Sequence, residues 1–125
     1  MSGPGSFMWN ELSSTDLEAS KKFLGEVVGW SFDEVDMGTG TYTIAKSGNS
    51  QVAGLMSTMD PNMPSAWVSY VHVADVDAAA AKVEGAGGTV MVPMMDVPNV
   101  GRFCWVQDPT GAVFALMTPA ESMNA

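Results

Sequence analysis

Two segments of the chain repeat the same order of apolar and polar residues. Each opens with a strand-like run, passes into a helical pattern and closes with three more strand-like runs. In the first segment the helical spacing of Leu17, Leu24 and Val28 follows the capping-box pattern Thr15–Glu18 and stops at Gly29. The predicted strands of this segment cover residues 8–13, 30–35, 41–45 and 52–56, with turns at 36–40 and 47–50.

The second segment predicts the same elements. A helix is expected from about Asp75 to Gly85, and Gly87 and Gly88 end it. Its apolar face consists of Val76, Ala79, Ala80 and Val83. The predicted strands cover residues 67–73, 89–92, 103–107 and 113–117, with a tight turn at 108–111.

The repetition extends to the residues themselves. Gln51–Met56 matches Ala112–Met117 at an offset of 61, and Thr15–Ala19 matches Ala74–Ala78 at an offset of 59. Two offsets that differ by only two residues, the length of a small loop insertion, indicate a duplicated supersecondary unit. We therefore expect an α+β fold of two tandem βαβββ modules. Module one covers residues 7–58, the linker covers 59–65 and module two covers 66–118, and together they form one domain. Residues 1–6 are interpreted as a disordered leader or expression-tag remnant, and residues 119–125 as a tail.

Composition restricts the partners. The net charge is −9 with five Lys and Arg among 125 residues, which disfavours nucleic acid and anionic membranes. There is no apolar run of membrane-spanning length and no signal-peptide pattern. Cys104 is the one cysteine, so we expect an inert buried thiol and a cytoplasmic location.

The motifs 16–23, 28–30 and 108–111 resemble the glyoxalase / bleomycin-resistance / extradiol-dioxygenase (vicinal oxygen chelate) superfamily. The stretches 87–93 and 100–103 are similar to its glyoxalase-like branch, which includes the mycobacterial 27–30 kDa antigen. The resemblance covers 7–118 and implies a cupped mixed sheet with helices outside and a ligand on the concave side.

The resemblance also implies where a metal would be bound, on the first and last strands of each module. Those positions hold Trp9, Gly54, Val68 and Ala115, and none of these side chains is a metal ligand. The chain has one histidine, so two histidine ligands from one subunit are impossible. We therefore expect a cavity without metal and without any other cofactor.

Strand alternation, started from those positions, predicts which side chains face the cavity. The polar members are Glu11, Tyr70 and His72, with Ser13 beside them. Leu12, Val71 and Val73 are expected on the opposite face, beneath the helices. The resemblance implies that Phe103 and Trp105 face the cavity as well. The predicted ligand-binding residues are Trp9, Gly54, Met56, Val68, Phe103, Trp105, Ala115 and Met117.

Two functions fit this set. One is binding of a small hydrophobic or aromatic molecule, and the other is a cofactor-independent isomerase or lyase with Glu11 as base and His72 or Tyr70 as acid. Each residue also has a purely structural alternative: a solvated edge carboxylate for Glu11, a strand histidine bonded to a backbone carbonyl for His72, and plain core for the aromatic residues.

Assembly is predicted from the methionines. The 11 methionines and the open sheet edges favour a two-fold symmetric homodimer. The stretches Met56–Met63 and Met91–Met95 are expected in loops at or near its interface, and Arg102 is expected at the surface or interface.

Overall fold

The structure is a computed structural model, and it describes residues 3–36, 41–58, 60–97 and 100–120. The chain divides into two compact units, residues 9–68 and residues 1–8 with 69–125. The predicted turn at 36–40 falls mostly on residues 37–40, and the tail mostly on 121–125, both outside the described residues. The elements in chain order are β1 (Phe7–Ser14), α1 (Leu17–Val28), β2 (Ser31–Asp36), β3 (Thr41–Ser47), β4 (Ser50–Ser57), β5 (Ala66–His72), α2 (Val76–Ala81), β6 (Thr89–Val97), β7 (Gly101–Gln107) and β8 (Val113–Pro119).

The unit of residues 9–68 contains a mixed sheet with the strand order β2-β3-β4-β1. β1 and β4 run parallel, while β2–β3 and β3–β4 are antiparallel. One face of this sheet is apolar and packs against α1 through Leu17 and Leu24. Its buried core consists of Leu12, Ala45, Ala53 and Leu55.

Helix α1 begins one residue later than the capping-box pattern predicts. Its N-cap is Asp16, whose Oδ1 accepts a hydrogen bond of 3.1 Å from the Ala19 backbone N–H. Thr15 does not cap the helix but forms hydrogen bonds with Ser65. Its backbone N–H donates to the Ser65 hydroxyl, and its own hydroxyl lies 3.1 Å from the same oxygen. The helix ends as predicted at Gly29, which has a φ of 76°.

The second unit contains the equivalent mixed sheet, with the order β5-β8-β7-β6 and β5 parallel to β8. The side chains beneath α2 form a buried cluster with Val71 and Val73 packed against it. The cluster consists of Val76, Cys104, Val106 and Leu116. The predictions that Leu12, Val71 and Val73 lie on the helix side, and that Cys104 is buried, are therefore confirmed.

Helix α2 is shorter than predicted. It ends at Ala81 rather than near Gly85, and the backbone N–H groups of Lys82 and Val83 bond to carbonyl oxygens three residues back. Such bonds tighten a helix into a turn. Gly85, Gly87 and Gly88 follow within seven residues of that end, and glycine disfavours continuation of a helix.

The prediction that Met91–Met95 lies in a loop is wrong. These residues belong to β6, which pairs antiparallel with β7. Pro93 made this stretch look like a loop, but β6 lies at the end of the strand order and its register shifts twice, between Val90 and Val92 and between Val92 and Met95. Edge strands and bulges tolerate proline. Of the other stretch, Met56 and Ser57 belong to β4, and Met59 lies outside the described residues.

The observed architecture confirms an α+β fold of two βαβββ modules with mixed sheets and with helices outside them. Two residues of the predicted leader are bonded within the second unit: Gly5 donates its N–H to the His72 carbonyl, and His72 donates its own to the Ser6 carbonyl. Across the described ranges, no helix has the length and apolar character needed to cross a membrane.

Candidate functional site

A hydrogen-bonded chain of three side chains lies on the helix-free face of the first sheet. The Trp9 indole Nε1–H donates to the Tyr42 hydroxyl at 3.1 Å, and the Tyr42 hydroxyl donates to Glu11 Oε2 at 2.6 Å. Glu11 is 6% exposed, so the carboxylate is buried. We call these three residues the Trp9–Tyr42–Glu11 group.

Burial determines the protonation of Tyr42. Loss of solvent contact, followed by the negative charge and hydrogen bond of Glu11, raises the pKa of the Tyr42 phenol far above its ordinary value of 10.0. The phenol therefore keeps its proton at neutral pH. That proton points to the carboxylate, which makes the Tyr42–Glu11 contact a charge-assisted hydrogen bond.

Gly54 makes room for this group. It lies opposite Glu11 in the parallel β1–β4 pair and opposite Ile44 in the β3–β4 pair. A Cβ atom at position 54 would overlap the Tyr42 hydroxyl and would lie 3.0 Å from Trp9 Nε1. The Tyr42 hydroxyl therefore occupies the space directly above the Gly54 backbone, and a larger residue would displace it.

Tyr42 is the site residue that the sequence analysis missed. The signal was present, because the offset of 61 that relates Gly54 to Ala115 also relates Tyr42 to Phe103. The superfamily resemblance places Phe103 in the cavity, and the repeat carries that position over to Tyr42 on β3. The repeat thus contained enough information to find Tyr42.

The predicted residues of the second unit lie in two rows on its sheet. Residues opposite one another across a strand pair share a face, and the registers place Tyr70 and Trp105 on either side of Ala115. His72 and Phe103 flank Met117 in the same way, two residues along each strand. The cluster beneath α2 contains the alternate residues of β7 and β8, so both rows lie on the helix-free face.

These rows contain a second tryptophan–tyrosine contact. The Trp105 Nε1–H donates to the Tyr70 hydroxyl at 3.1 Å, and the Tyr70 and Phe103 rings lie 5.6 Å apart between centroids. All three side chains are buried. Each unit therefore pairs an indole N–H with a phenol oxygen on its helix-free face.

The remaining predicted residues differ in burial. Val68, Ala115 and Met117 are buried, whereas Met56 and His72 are half-buried. Ser13, opposite Met56 in the β1–β4 register, has a buried hydroxyl with no hydrogen-bond partner among the described residues. Ser13 therefore adds a polar atom to this face of the first sheet.

The donor set does not suit the metal that the resemblance implies. The positions of the implied ligands hold an indole, a glycine and two aliphatic side chains, and the Tyr42 hydroxyl fills the space above Gly54. In the part of the chain that is described, no three His, Cys, Asp or Glu side chains are grouped closely enough to hold a metal ion.

Two surface depressions lie away from these residues. One of about 290 Å³ borders α1, lined by Leu12, Ala19, Ser20, Phe23, Leu24 and Trp67. The other, of about 390 Å³, surrounds Arg102, whose guanidinium makes two hydrogen bonds of 3.0 Å to Asp77 and one of 2.6 Å to Asp96. Both depressions include residues of the helix-side faces, whereas the aromatic and carboxylate chemistry lies on the opposite faces.

Comparison with known sequences identifies the family. The sequence profile of the Glyoxalase/Bleomycin resistance protein/Dioxygenase superfamily matches residues 7–116. The chain belongs to this superfamily. Its similar relatives include "Putative glyoxylase CFP32" of Mycobacterium bovis, 38% identical over 117 residues, and the anthracycline biosynthesis protein DauV of a Streptomyces species, 34% identical over 128 residues. The matches cover 93% and 90% of this chain but 45% and 46% of those relatives, so the superfamily member described here spans about half their length.

Solved structures show the same fold at low sequence identity. Methylmalonyl-CoA epimerase from Mycobacterium tuberculosis superposes with a TM-score of 0.62 and 14% identity, over 99% of this chain and 95% of that one. A Mn(II)-bound glyoxalase from Novosphingobium aromaticivorans gives a TM-score of 0.58 and 20% identity, over 94% of this chain and 40% of that one. At these identities the similarity concerns the superfamily fold.

Proposed function

We propose that this chain binds a small hydrophobic or aromatic molecule without using a metal or another cofactor. The observation that carries the proposal is the Trp9–Tyr42–Glu11 group, a buried carboxylate joined to two aromatic side chains on a helix-free sheet face. Apolar walls with a few fixed polar groups are typical of small-molecule sites. Gly54 leaves the room that the Tyr42 hydroxyl occupies.

The proposal that no metal takes part rests on chemistry. Trp9, Gly54, Val68 and Ala115 replace the donors that the superfamily resemblance implies, and zinc, manganese and iron require imidazole, carboxylate or thiolate ligands. Glu11 is one carboxylate, and its Oε2 already accepts a hydrogen bond from the Tyr42 hydroxyl. A binding function needs none of the Lewis-acid chemistry that a metal supplies.

A panel of apolar aromatic compounds, screened by ligand-observed NMR, tests the binding function. We expect at least one compound to bind the wild-type chain and to lose binding in Trp9→Ala. The matched control is Trp67→Ala, which removes an indole that is 47% exposed and stacks edge-on against Trp30 at 6.1 Å, beside the α1 depression. Loss of binding in Trp67→Ala with retention in Trp9→Ala would place the ligand elsewhere, and no binding at all would refute the proposal.

A second candidate function is a cofactor-independent isomerase or lyase reaction. The burial of Glu11 supports it, because desolvation raises the basicity of a carboxylate. Here Glu11 would act as the base. Deuterium exchange at an acidic C–H bond of a bound compound, followed by NMR in D₂O, distinguishes the two functions: catalysed exchange that disappears in Glu11→Gln supports the enzyme, and binding without exchange supports the binding protein.

We also propose that the chain forms a two-fold symmetric homodimer. The support is exposed apolar surface, which in the described ranges includes Phe23, Val27, Met91 and Met95, and a sheet edge at β6. Sedimentation equilibrium at micromolar concentration tests this. We expect twice the chain mass of 13.1 kDa, and a single 13.1 kDa species would refute the dimer.

A further inference from the structure

Helix α1 carries an apolar row that its own sheet does not cover. None of its 12 residues is fully buried, although Leu17 and Leu24 pack against the sheet. Ala19, Phe23 and Val27 follow one another at intervals of four residues and therefore form one row along the helix. Phe23 is 61% exposed and Val27 is 62% exposed. We call this row the α1 stripe; contiguous exposed apolar surface is typical of a contact site.

The depression of about 290 Å³ beside α1 widens this apolar surface. Its lining includes Ala19, Ser20 and Phe23 of the helix together with the exposed Trp67. All four residues belong to the unit of residues 9–68. Because Ala19 and Ser20 are small, the ridges of a second helix can pack closely against this side of α1.

Two opposite charges border the α1 stripe. Lys22 and Glu26 are four residues apart, one position before Phe23 and Val27, and both are exposed. Neither belongs to an ion pair within the ranges that the structure describes. Lysine placed before glutamate is the less favourable order for pairing within one helix. Both charges can therefore pair with a neighbouring molecule.

This arrangement is complementary to itself. In an interface with two-fold symmetry, the contact of residue i with residue j is repeated as j with i. Two antiparallel α1 helices with the axis near Phe23 place Ala19 of one copy opposite Val27 of the other. The same arrangement places Lys22 opposite Glu26 twice, whereas a partner of uniform charge would oppose one of the two side chains.

The sheet edges are less suited to a second copy. Strand β2 ends the first sheet and carries Asp33, Glu34 and Asp36, so symmetric strand pairing would bring the carboxylates of two copies together. Strand β6 ends the second sheet. It contains Pro93, which has no N–H to donate, and its register shifts twice.

From these observations, and resting on the proposed homodimer, we infer that the α1 stripe is the surface on which a second copy of the chain docks, with the two α1 helices antiparallel. Phe23 of each copy packs beside Ala19 and Ser20 of the other. The two Lys22–Glu26 pairs fix the direction of the helices.

Charge-reversed variants test this docking by sedimentation equilibrium. Lys22→Glu and Glu26→Lys each turn both pairs into like-charged contacts, so the dimer dissociation constant of either variant should rise at least about tenfold. In an equimolar mixture each reversed side chain meets its opposite charge, and dimers should form with a dissociation constant within about threefold of wild type. The matched controls are Lys82→Glu and Glu84→Lys, which make the same charge changes at exposed positions after α2 and should shift the constant by less than about twofold.

The outcomes separate the inference from the homodimer itself. If the reversed variants dimerise as tightly as wild type, or if the controls dissociate equally, the inference is wrong and the homodimer stands. A wild-type chain that is monomeric at every concentration refutes both. Phe23→Ser tests the same surface without a charge change: it should dissociate the dimer, whereas Phe7→Ser, at a position on β1 that is 71% exposed, should not. A dimer that survives Phe23→Ser also contradicts the inference.

Discussion

Substituting Gly54 by alanine tests the geometry of the site most sharply. The added Cβ would overlap the Tyr42 hydroxyl, so Tyr42 has to leave its position. Its departure breaks the 2.6 Å bond to Glu11 and removes the acceptor of the Trp9 N–H. A hydrogen bond to a charged group contributes about 1.5–3 kcal/mol, and a neutral one about 0.5–1.5 kcal/mol. Because Glu11 is buried, solvent does not screen the first of these, and we expect Gly54→Ala to lower the free energy of unfolding by about 2–4 kcal/mol.

Urea denaturation followed by circular dichroism measures this cost, and a double-mutant cycle assigns it. In a Tyr42→Leu background both hydrogen bonds are already absent, so Gly54→Ala should cost less than about 1 kcal/mol. The control is Gly25→Ala in α1, where the added methyl would meet Trp30 O at 3.6 Å and should be neutral or stabilising by about 0.5–1 kcal/mol. An equal cost of Gly54→Ala in both backgrounds would refute the reasoning.

Three further predictions concern the second unit and the end of α1. Gly29→Ala should destabilise the chain by about 1 kcal/mol, and Gly29→Asn by less, in the same urea assay, because Gly29 has a left-handed φ of 76°. The hydrogen bond and charge of Arg102 hold the pKa of the Asp77 carboxyl below its ordinary value of 3.8. This pair therefore stabilises the fold above pH 3.8 and ceases to do so as the pH falls through the lowered pKa. The melting temperatures of wild type and Asp77→Asn should differ at about pH 6 and converge in strong acid. Burial raises the pKa of the Cys104 thiol, so iodoacetamide at pH 8 should label native protein far more slowly than urea-unfolded protein, and equal rates would contradict its burial.

Much of the fold was predictable because the sequence repeats its own pattern. The apolar spacing around Leu17 and Leu24, together with Gly29, located α1 to within about one turn. Strand alternation correctly separated Leu12, Val71 and Val73 from the site-face residues, since a two-residue period leaves no other choice once one face is known. The predicted start of α1 and the predicted loop at Met91–Met95 were wrong because both depend on contacts between residues that are distant in the sequence. Ser65 engages Thr15 and leaves Asp16 to cap α1, and the place of β6 at a sheet edge lets Pro93 lie within a strand.

The sequence singled out Trp9, Glu11 and Gly54, which the structure brings together, but it did not predict the contact with Tyr42. The superfamily resemblance named Trp9 and Gly54, and strand alternation added Glu11, yet neither gave a sign that a side chain from β3 joins them. Tyr42 reaches Glu11 from a strand that is not hydrogen-bonded to β1, because β4 lies between them and carries no side chain at Gly54. A contact across a glycine depends on side-chain length and direction, which periodicity does not encode.

The central claim is that this superfamily member binds an aromatic molecule without a metal. The most direct measurement is calorimetric titration of an aromatic compound that binds in the NMR screen. Elemental analysis first determines the metal content of the purified protein, and the titration is then carried out after dialysis against EDTA and repeated after adding Zn²⁺, Ni²⁺ or Mn²⁺. We expect less than about one-tenth of an equivalent of metal per chain, because Trp9, Gly54, Val68 and Ala115 cannot act as metal ligands. We also expect the same dissociation constant in every titration. About one equivalent of bound metal, or binding that appears only when a metal is added, would contradict the claim.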